Sequence, residues 1–341
     1  MTPEPGLPSE RPVLVTGALG CIGAWTVREL MAAGVPVVAF DSGDDDRRLR
    51  QVTPPDLIDR VRVVNGDVAD LISLLGVIES QNVGRIVHLA ALQVPACRSD
   101  PPRGAVVNVV GTVNVFEAAR RAGLESVVYT SSAAVFDQPG ARVEVDTRPE
   151  PRTHYGVYKL ANEGTARAYW YEFDVPSIGI RPMTVYGPGR DRGLTSSPTK
   201  ALLAATLGCS YEIAFGGTTL LHYARDVGRA LVSAAQVDVT GAHVANLNGT
   251  TSTIADFVAT TREVAGASAG RISVSHRPLP FPDDADTTGL DIVGSTPITP
   301  LEDGIAETLE FFRALDRDGK LHPADHGLVV ENGVARDAEV L

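Results

Sequence analysis

The sequence predicts an α/β fold in which a doubly wound parallel sheet is followed by a smaller C-terminal lobe. Short apolar segments alternate with segments of helical period from residue 12 to Pro182. The apolar segments also lack the alternation of polar and apolar residues that marks a half-exposed strand. Continuous apolar strands are typical of parallel sheets that helices cover on both faces.

The elements follow one another in regular order. The first strand, PVLVTG at residues 12–17, precedes a helical segment at 21–34 that Gly34 closes as a C-cap. The later strands are predicted at 35–41, 61–67, 85–91, 126–132 and 176–182, and the helices between them at 70–82, 104–123 and 155–173.

The pattern changes after Pro182. Residues 184–199 are rich in Gly, Pro, Ser and Arg, which is typical of a long functional loop, and shorter elements follow until a final helix at 301–315. We predict one domain at 11–182 and a lobe mainly at 183–330, from which about 222–250 return to the first domain. Residues 1–10 and 331–341 are expected to be flexible termini.

Composition and charge favour a globular protein that binds a small molecule. The formal net charge of −12 repels phosphate backbones, so no nucleic-acid partner is expected. The N-terminal segment lacks a signal-peptide pattern, and no apolar run is long enough to span a membrane. The odd number of cysteines (Cys21, Cys97 and Cys209) has no metal-ligand spacing. We predict a cytoplasmic protein without a metal or a membrane partner.

Three glycines mark the junction of the first strand and first helix. TGALGCIG places Gly17, Gly20 and Gly23 where side chains would keep a pyrophosphate away from the helix N-terminus. The spacing differs from the common Gly-x-Gly-x-x-Gly, but the strand before it and the helix after it supply the required context. The pattern predicts a dinucleotide-binding domain of the Rossmann type.

Asp41, at the end of the second predicted strand, favours NAD over NADP. A carboxylate there accepts the ribose hydroxyls of NAD and repels the 2′-phosphate of NADP. A turn or helix-capping role for this aspartate remains open. Arg47 and Arg48 follow closely and could reach a 2′-phosphate.

Tyr155 and Lys159 form a Tyr-x-x-x-Lys pair in a chain that has only three lysines. Residues four apart share one face of a helix. A tyrosine that acts as an acid or base near neutral pH needs its pKa lowered by roughly 2–3 units, and a nearby ammonium favours the phenolate. The alternative is a simple packing contact within an amphipathic helix, which the glycine motif makes the weaker interpretation.

The chain resembles the extended short-chain dehydrogenase/reductase family, the NAD-dependent epimerase/dehydratase group, over about residues 12–235. The motifs occur in the family order: TGALGCIG, NGDVAD, HLAA, SDPPRGAVVNVVGTVNVFEAAR, YTSSAAVF, YGVYKLANE and RPMTVYGPG. The resemblance implies that Tyr155 is the acid/base, that Lys159 assists it and that Ser132 polarises the substrate oxygen, with Ser131 as the fallback. It also implies a homodimer.

The resemblance further implies the cofactor contacts. The family's adenine-bordering pair matches Asp67 and Val68, and residues 182–185 are expected to border the nicotinamide. The complete predicted NAD set is Gly17, Leu19, Gly20, Cys21, Ile22, Gly23, Asp41, Asp67, Val68, Leu89, Ala90, Ala91, Asn108, Tyr155, Lys159, Pro182 and Val185.

Three departures from the family pattern narrow the chemistry. Ala133 and Ala134 replace the Asp-Glu pair of family dehydratases, so dehydration is not expected. Thr219 stands where nucleotide-sugar enzymes usually have a diphosphate-binding arginine, and Thr184 replaces a frequent asparagine. These changes weaken the case for a nucleotide-diphosphate substrate, although Arg225 could substitute in part.

Substrate contacts are predicted mainly on the long loop, because arginine forks suit carboxylates and phosphates. A solvated loop whose arginines pair with Asp191 or its neighbours is an equal alternative. The candidate substrate residues are Gln93, Ser131, Ser132, Thr184, Arg190, Arg192, Ser197 and Arg225.

The sequence therefore predicts an NAD-dependent oxidoreductase. It would move a hydride between nicotinamide and a secondary alcohol or ketone of a small polyhydroxylated substrate, such as a sugar or sugar acid. A first alternative is an NAD-dependent epimerase of sugars or nucleotide sugars, which uses the same Ser132, Tyr155 and Lys159 through a keto intermediate. A second is a non-catalytic NAD-sensing regulator, a class that often loses the tyrosine or lysine kept here.

Overall fold

The computed structural model describes residues 11–144, 146–269, 271–294 and 296–338. Of the termini predicted to be flexible, residues 1–10 and the last three residues of 331–341 lie outside these ranges. Within them the strands are β1 (Val13–Thr16), β2 (Val37–Asp41), β3 (Arg62–Asn65), β4 (Arg85–His88), β5 (Val127–Thr130), β6 (Arg142–Val143), β7 (Ser177–Arg181), β8 (Thr184–Tyr186), β9 (Tyr211–Ile213), β10 (Thr218–Tyr223), β11 (Ala242–Asn246), β12 (Thr250–Thr253), β13 (Ile272–Val274), β14 (Asp284–Ala285), β15 (Leu328–Glu331) and β16 (Val334–Asp337).

Twelve α-helices connect and cover these strands in the described ranges. They are α1 (Cys21–Ala32), α2 (Arg47–Val52), α3 (Pro55–Ile58), α4 (Leu71–Ser80), α5 (Val94–Ser99), α6 (Pro101–Ala105), α7 (Gly111–Ala122), α8 (His154–Phe173), α9 (Ser197–Thr206), α10 (Ala224–Gln236), α11 (Ile254–Ala265) and α12 (Leu301–Arg317). A π-helical turn at Val106–Val110 joins α6 to α7, so the single helix predicted at 104–123 is continuous but locally widened.

Seven parallel strands form the central sheet in the order β11-β7-β5-β4-β1-β2-β3. Val13 of β1 lies opposite Val37 of β2 and Arg85 of β4, which fixes the register at the centre. The chain first adds strands on one side of β1 and then on the other. Such a reversal leaves a crevice at the carboxyl ends of β1 and β4, where doubly wound sheets bind ligands. The predicted fold class is confirmed.

Helices bury both faces of this sheet, which explains its continuous apolar strands. On one face α1 packs against α10, and Trp25 and Leu231 are buried between them and the sheet. On the other face α4 and α7 cover Leu14, Phe40 and Tyr129. Because both faces are covered, apolar residues occupy successive positions of each central strand.

Smaller sheets follow in the C-terminal part of the chain. β8, β10 and β12 form one, β9 pairs with β13, and β6 pairs with β14. The helices α9, α11 and α12 pack on a second core that includes Leu202, Phe257 and Phe312. Strand β11 lies in the central sheet, and α10 lies on it. The division of the chain at residue 182 remains a prediction.

The segment 331–341, which was expected to be flexible, contains regular structure in its described part. β15 and β16 form an antiparallel hairpin whose turn residues Asn332 and Gly333 have φ of 51° and 73°. Two positive φ values are characteristic of the tight hairpin turn that Asn-Gly favours. Leu328 and Ala335 are buried, and the Tyr211 hydroxyl donates to Asp337 at 2.8 Å. The hairpin is therefore attached to the second core.

No helix in the described part of the chain combines the length and the apolar character needed to cross a membrane.

Candidate active site

A cavity of about 140 Å³ that opens to solvent lies at the carboxyl ends of the central strands. The walls come from the glycine-rich turn, the ends of β4, β5 and β7, the start of α8 and the loop after β8. The predicted site residues that line it are Ile22, Leu89, Ala91, Gln93, Ser131, Ser132, Tyr155, Lys159, Pro182, Val185 and Arg190.

The three predicted catalytic residues meet in this cavity. Ser132 follows β5, and its Oγ accepts a hydrogen bond from the Ala134 N–H at 3.1 Å. Tyr155 and Lys159 lie one turn apart at the start of α8, which Thr153 caps by accepting from the Gly156 N–H at 3.0 Å. The Ser132 hydroxyl lies close enough to the Tyr155 oxygen to favour its ionised form. The arrangement brings a proton carrier and a hydrogen-bond donor to one point.

Burial, more than the neighbouring lysine, controls the protonation of Tyr155. Burial raises the pKa of Tyr155, while the hydrogen bond from Ser132 and the positive charge of Arg190 oppose that rise. The expectation that Lys159 leaves this tyrosine with a lowered pKa is therefore wrong for the protein alone. Lys159 Nζ lies 5.7 Å from the Tyr155 ring centre and donates to the Thr130 carbonyl at 2.7 Å. Burial also lowers the pKa of Lys159 to about 8.

The glycine-rich turn has the close packing that its sequence suggested. A Cβ at Gly17, whose φ is +69°, would lie 2.6 Å from the Ala90 nitrogen, and a Cβ at Gly23 would lie 2.1 Å from the Gly17 oxygen. No side chain caps the N-terminus of α1 at Gly20. The free first turn of this helix suits the pyrophosphate of a dinucleotide.

Asp41 ends β2 beside this turn. Its Oδ2 accepts from the Leu19 N–H at 2.9 Å, and its Oδ1 accepts from the Gly43 N–H at 2.9 Å. The carboxylate therefore orders the turn and remains where a ribose would lie. Arg48 forms a two-point ion pair with Asp191 at 2.9 and 3.0 Å, and Arg47 pairs with Asp45 and Asp325. Both arginines that could have bound the 2′-phosphate of NADP are thus paired with carboxylates of the protein.

Several predicted cofactor residues support the cavity without lining it. The Asn108 side chain is buried and binds the backbone N–H and carbonyl of Leu92 at 2.7 and 2.9 Å. Val68 packs against Gly111, and Asp67 accepts from the Ala69 N–H at 2.9 Å. Burial raises the pKa of the Cys21 thiol to about 12, so this thiol stays protonated at neutral pH.

Only some of the predicted substrate residues come together. Gln93, Ser131, Ser132 and Arg190 line the cavity, although the Ser131 hydroxyl donates to Glu163 at 2.5 Å. The other four do not line it. Thr184 bonds Thr219 at 2.8 Å, Ser197 accepts from the Ala214 N–H at 3.4 Å, Arg225 pairs with Glu29 at 2.9 Å, and Arg192 is exposed.

Arg190 is the loop arginine that faces the cavity. Its Nη2 donates to Thr195 at 3.0 Å, whereas its buried Nε has no hydrogen-bond partner within the described residues. A buried guanidinium nitrogen without a partner is costly, so it suits an anionic or carbonyl oxygen of a ligand. Among the cavity-lining side chains, Arg190 and Lys159 are the cations.

Sequence reasoning missed five residues of the cavity wall: Val94, Thr130, Leu194, Thr195 and Phe281. Leu194 and Thr195 lie within the loop that was predicted to bind substrate, so the loop assignment could have included them. Phe281 belongs to an irregular segment far along the chain and carries no motif that would have revealed it.

Comparison with known proteins relates this arrangement to one family. Residues 13–248 match the model of the NAD dependent epimerase/dehydratase family. The chain is 34% identical over 319 residues to a UDP-glucose 4-epimerase of Mycolicibacterium smegmatis, covering 88% of this chain and 98% of that protein.

Solved structures share the whole architecture. MoeE5 in complex with UDP-glucose and NAD is 30% identical, with a TM-score of 0.74 over 89% of this chain and 99% of the other. The UDP-glucose 4-epimerase of Thermus thermophilus in complex with NAD has a TM-score of 0.75 over the same shares. At 24% identity, the latter likeness concerns the fold alone.

Proposed function

Because the chain belongs to the NAD dependent epimerase/dehydratase family, we propose that it inverts one secondary-alcohol carbon of a nucleotide-linked sugar. It is an NAD-dependent enzyme that moves a hydride between cofactor and substrate. The observation that carries the proposal is the meeting of Ser132, Tyr155 and Lys159 around one cavity beside the glycine-rich turn. The 34% identity to a UDP-glucose 4-epimerase over nearly its whole length supports the substrate class.

The residues of the chain handle the proton of the reacting hydroxyl. Tyr155 takes this proton as the alcohol is oxidised and gives it back as the ketone is reduced. Ser132 donates a hydrogen bond to the reacting oxygen, the positive charge of Arg190 favours the phenolate form of Tyr155, and the Lys159 ammonium adds a second positive charge beside the tyrosine ring. Bound NAD supplies the hydride acceptor and donor together with the positive charge of its oxidised ring. Inversion then requires that the ketone present its opposite face before the hydride returns.

The cofactor site would use the features already described. The first turn of α1 and the glycines before it would bind the pyrophosphate, and Asp41 would accept the adenosine ribose hydroxyls. Leu89, Ala91, Pro182 and Val185, which line the cavity, would border the nicotinamide half of the dinucleotide.

A cofactor assay combined with a substrate assay tests the proposal. The purified protein is denatured, and the released NAD and NADH are measured by enzymatic cycling. The native protein is also incubated with UDP-glucose, and the products are separated. Near-stoichiometric cofactor together with formation of UDP-galactose is expected. A cofactor-free protein that leaves UDP-glucose unchanged would contradict the proposal.

A second candidate is a net dehydrogenase of a free sugar or sugar acid. The observation that favours it is the buried Thr184–Thr219 contact, which leaves no cation where nucleotide-sugar enzymes usually have an arginine. Arg225 does not replace that arginine, because it pairs with Glu29. This candidate predicts a protein that reduces added NAD stoichiometrically when sugars, polyols or sugar acids are supplied. Arg190 would then bind the acid group.

We also propose a cytoplasmic homodimer. The location is supported by three cysteines that are all unpaired, as is typical of a reducing compartment. The dimer is supported by Val106, Val110, Val113 and Val157, which are exposed on the helices and the π turn between residues 106 and 157. Light scattering should give twice the monomer mass, and Val110→Glu should reduce it to the monomer mass.

A further inference from the structure

A buried ion pair lies behind the catalytic residues and has no role in the reaction described so far. Glu163 is only 1% exposed, and its carboxylate accepts two hydrogen bonds from Arg181, at 2.7 Å each. Removing a carboxylate and a guanidinium from water is costly, and apolar residues of similar volume often stabilise such a position equally well. General stability is therefore a weak explanation of this pair.

The position of Glu163 on α8 relates it to the reacting groups. Tyr155, Lys159 and Glu163 follow at intervals of four residues and so share one face of the helix. Lys159 donates to the Thr130 carbonyl, and Glu163 accepts from the Ser131 hydroxyl at 2.5 Å. Two successive residues at the end of β5 are thus attached to the helix that carries Tyr155, immediately before Ser132.

Arg181 connects the same carboxylate to the end of β7. Its guanidinium lies 4.8 Å from the Phe136 ring centre, which fixes its plane. The next residue, Pro182, lines the cavity, and its carbonyl accepts from the Ala133 N–H at 3.0 Å. The backbone on either side of Ser132 is therefore held by contacts that meet at Glu163 and Arg181.

We propose that Glu163 is a positioning residue for hydride transfer. Its carboxylate, oriented by Arg181, holds the Ser131–Ser132 end of β5 against α8, so that the Ser132 hydroxyl stays beside the Tyr155 oxygen. The inference depends on the family's hydride chemistry and not on the identity of the sugar.

Two substitutions that leave the net charge unchanged test this role. Glu163→Asp keeps the negative charge but is one methylene too short to reach both Ser131 and Arg181. Ser131→Ala removes one hydrogen bond and no charge. In both variants Ser132 is expected to move from the Tyr155 oxygen, which removes the contact that lowers the pKa of Tyr155. The midpoint of phenolate formation should therefore rise.

The phenolate of Tyr155 is followed by ultraviolet absorbance in the NAD-loaded protein, as the difference between each variant and the same variant with Tyr155→Phe. The other groups that face Tyr155 are Lys159 on the same helix, Cys97 on α5 and Arg190 on the loop, and all are unchanged. Where UDP-glucose is turned over, kcat should fall about 10- to 100-fold, with a smaller change in KM.

Glu29→Asp is the matched control. Glu29 is a carboxylate of low exposure that pairs with Arg225 and Arg229, and none of these three residues lines the cavity. The Glu29→Asp substitution should lower the unfolding temperature without changing the midpoint of phenolate formation or kcat. A role limited to stability would give the same result for Glu163→Asp and would overturn the proposal. If Glu163→Asp fails to fold, Ser131→Ala decides. The phenolate titration needs no substrate. A failure of the positioning proposal can therefore be told apart from a failure of the proposed sugar substrate.

Discussion

At the scale of single residues, the site combines a proton carrier whose pKa is raised with groups that lower it again. Burial raises the pKa of Tyr155, whereas Ser132 and Arg190 oppose the rise through a hydrogen bond and a positive charge. The nearby Lys159 donates one N–H to the Thr130 carbonyl.

Tyr155→Phe removes the proton carrier and little else, because the phenyl ring keeps the same volume. Turnover should fall by about 10²- to 10⁴-fold, the usual contribution of general acid–base catalysis. NAD binding should stay close to that of the unaltered protein. Steady-state kinetics and calorimetric titration with NAD measure the two effects, and turnover that survives the substitution would exclude Tyr155 as the acid/base.

Lys159 should determine an alkaline limit of activity. Its pKa is lowered by burial to about 8, so its ammonium is present below this pH and is lost as the pH rises through it. Because Lys159 is one of two cations that line the cavity and lies 5.7 Å from the Tyr155 ring centre, kcat should decline as this charge is lost above about pH 8. Lys159→Arg, which keeps its charge at high pH, should be slower throughout but lack this decline. An identical alkaline limb in both proteins would refute the assignment.

At the scale of elements, the loop after β8 closes the cofactor cleft. The Trp25 indole N–H on α1 donates to the Pro188 carbonyl at 2.9 Å, and Arg48 on α2 pairs with Asp191. Arg48 also approaches the Leu19 carbonyl of the glycine-rich turn at 3.4 Å. The loop that presents Arg190 to the cavity is thus attached to the two helices that flank the cofactor turn.

Asp191→Asn should loosen this closure. The substitution removes the negative charge from a buried two-point ion pair and leaves Arg48 without its counter-charge, so the loop should open more often. NAD should bind about tenfold more weakly and dissociate faster, as measured by stopped-flow fluorescence of NADH. Asp45→Asn, which alters an exposed partner of Arg47, should leave both values unchanged. Equal NAD release from the two variants would argue against closure by this ion pair.

At the scale of the whole molecule, two different sheets bury histidines whose pKa is lowered in the folded state: His88 on β4 of the central sheet and His222 on β10. His88 lies between the hydroxyls of Thr16 and Thr112, at 2.7 and 3.0 Å. Burial lowers its pKa to about 3 and that of His222 to about 4. The unfolded chain binds these protons near pH 6.5, whereas the folded chain does not.

Stability should therefore be lost as the pH falls below about 6.5. Well above this pH both histidines are neutral in the folded and unfolded chains and do not lower the free energy of unfolding. At about pH 5.5 the two together should lower it by about 3 kcal/mol, because only the unfolded chain binds their protons. Urea unfolding at about pH 5.5 and at a pH well above 6.5 measures the loss of unfolding free energy. His88→Gln should reduce the dependence on pH, and the exposed His276→Gln should not. A loss that is the same in all three proteins would assign the effect to other groups.

The local pattern of the sequence was sufficient for most of the fold and for predicting that Ser132, Tyr155 and Lys159 meet at one cavity. The parallel sheet could be predicted because strands covered on both faces need continuous apolar runs. Tyr155 and Lys159 could be predicted because helical spacing places them on one face, and the glycines before α1 because close backbone packing admits no side chain. The Asn332–Gly333 pair likewise predicts a tight hairpin turn, but these residues were assigned to a flexible terminus.

The partners of individual side chains depended on the tertiary structure. The sequence alone left Arg47, Arg48, Arg190 and Arg225 as equivalent loop or surface cations, because a guanidinium binds whichever acid the fold brings near. The fold pairs Arg48 with Asp191 and Arg225 with Glu29, and leaves the Arg190 Nε facing the cavity. Contacts between residues more than a hundred positions apart decide such pairings, and no local pattern encodes them.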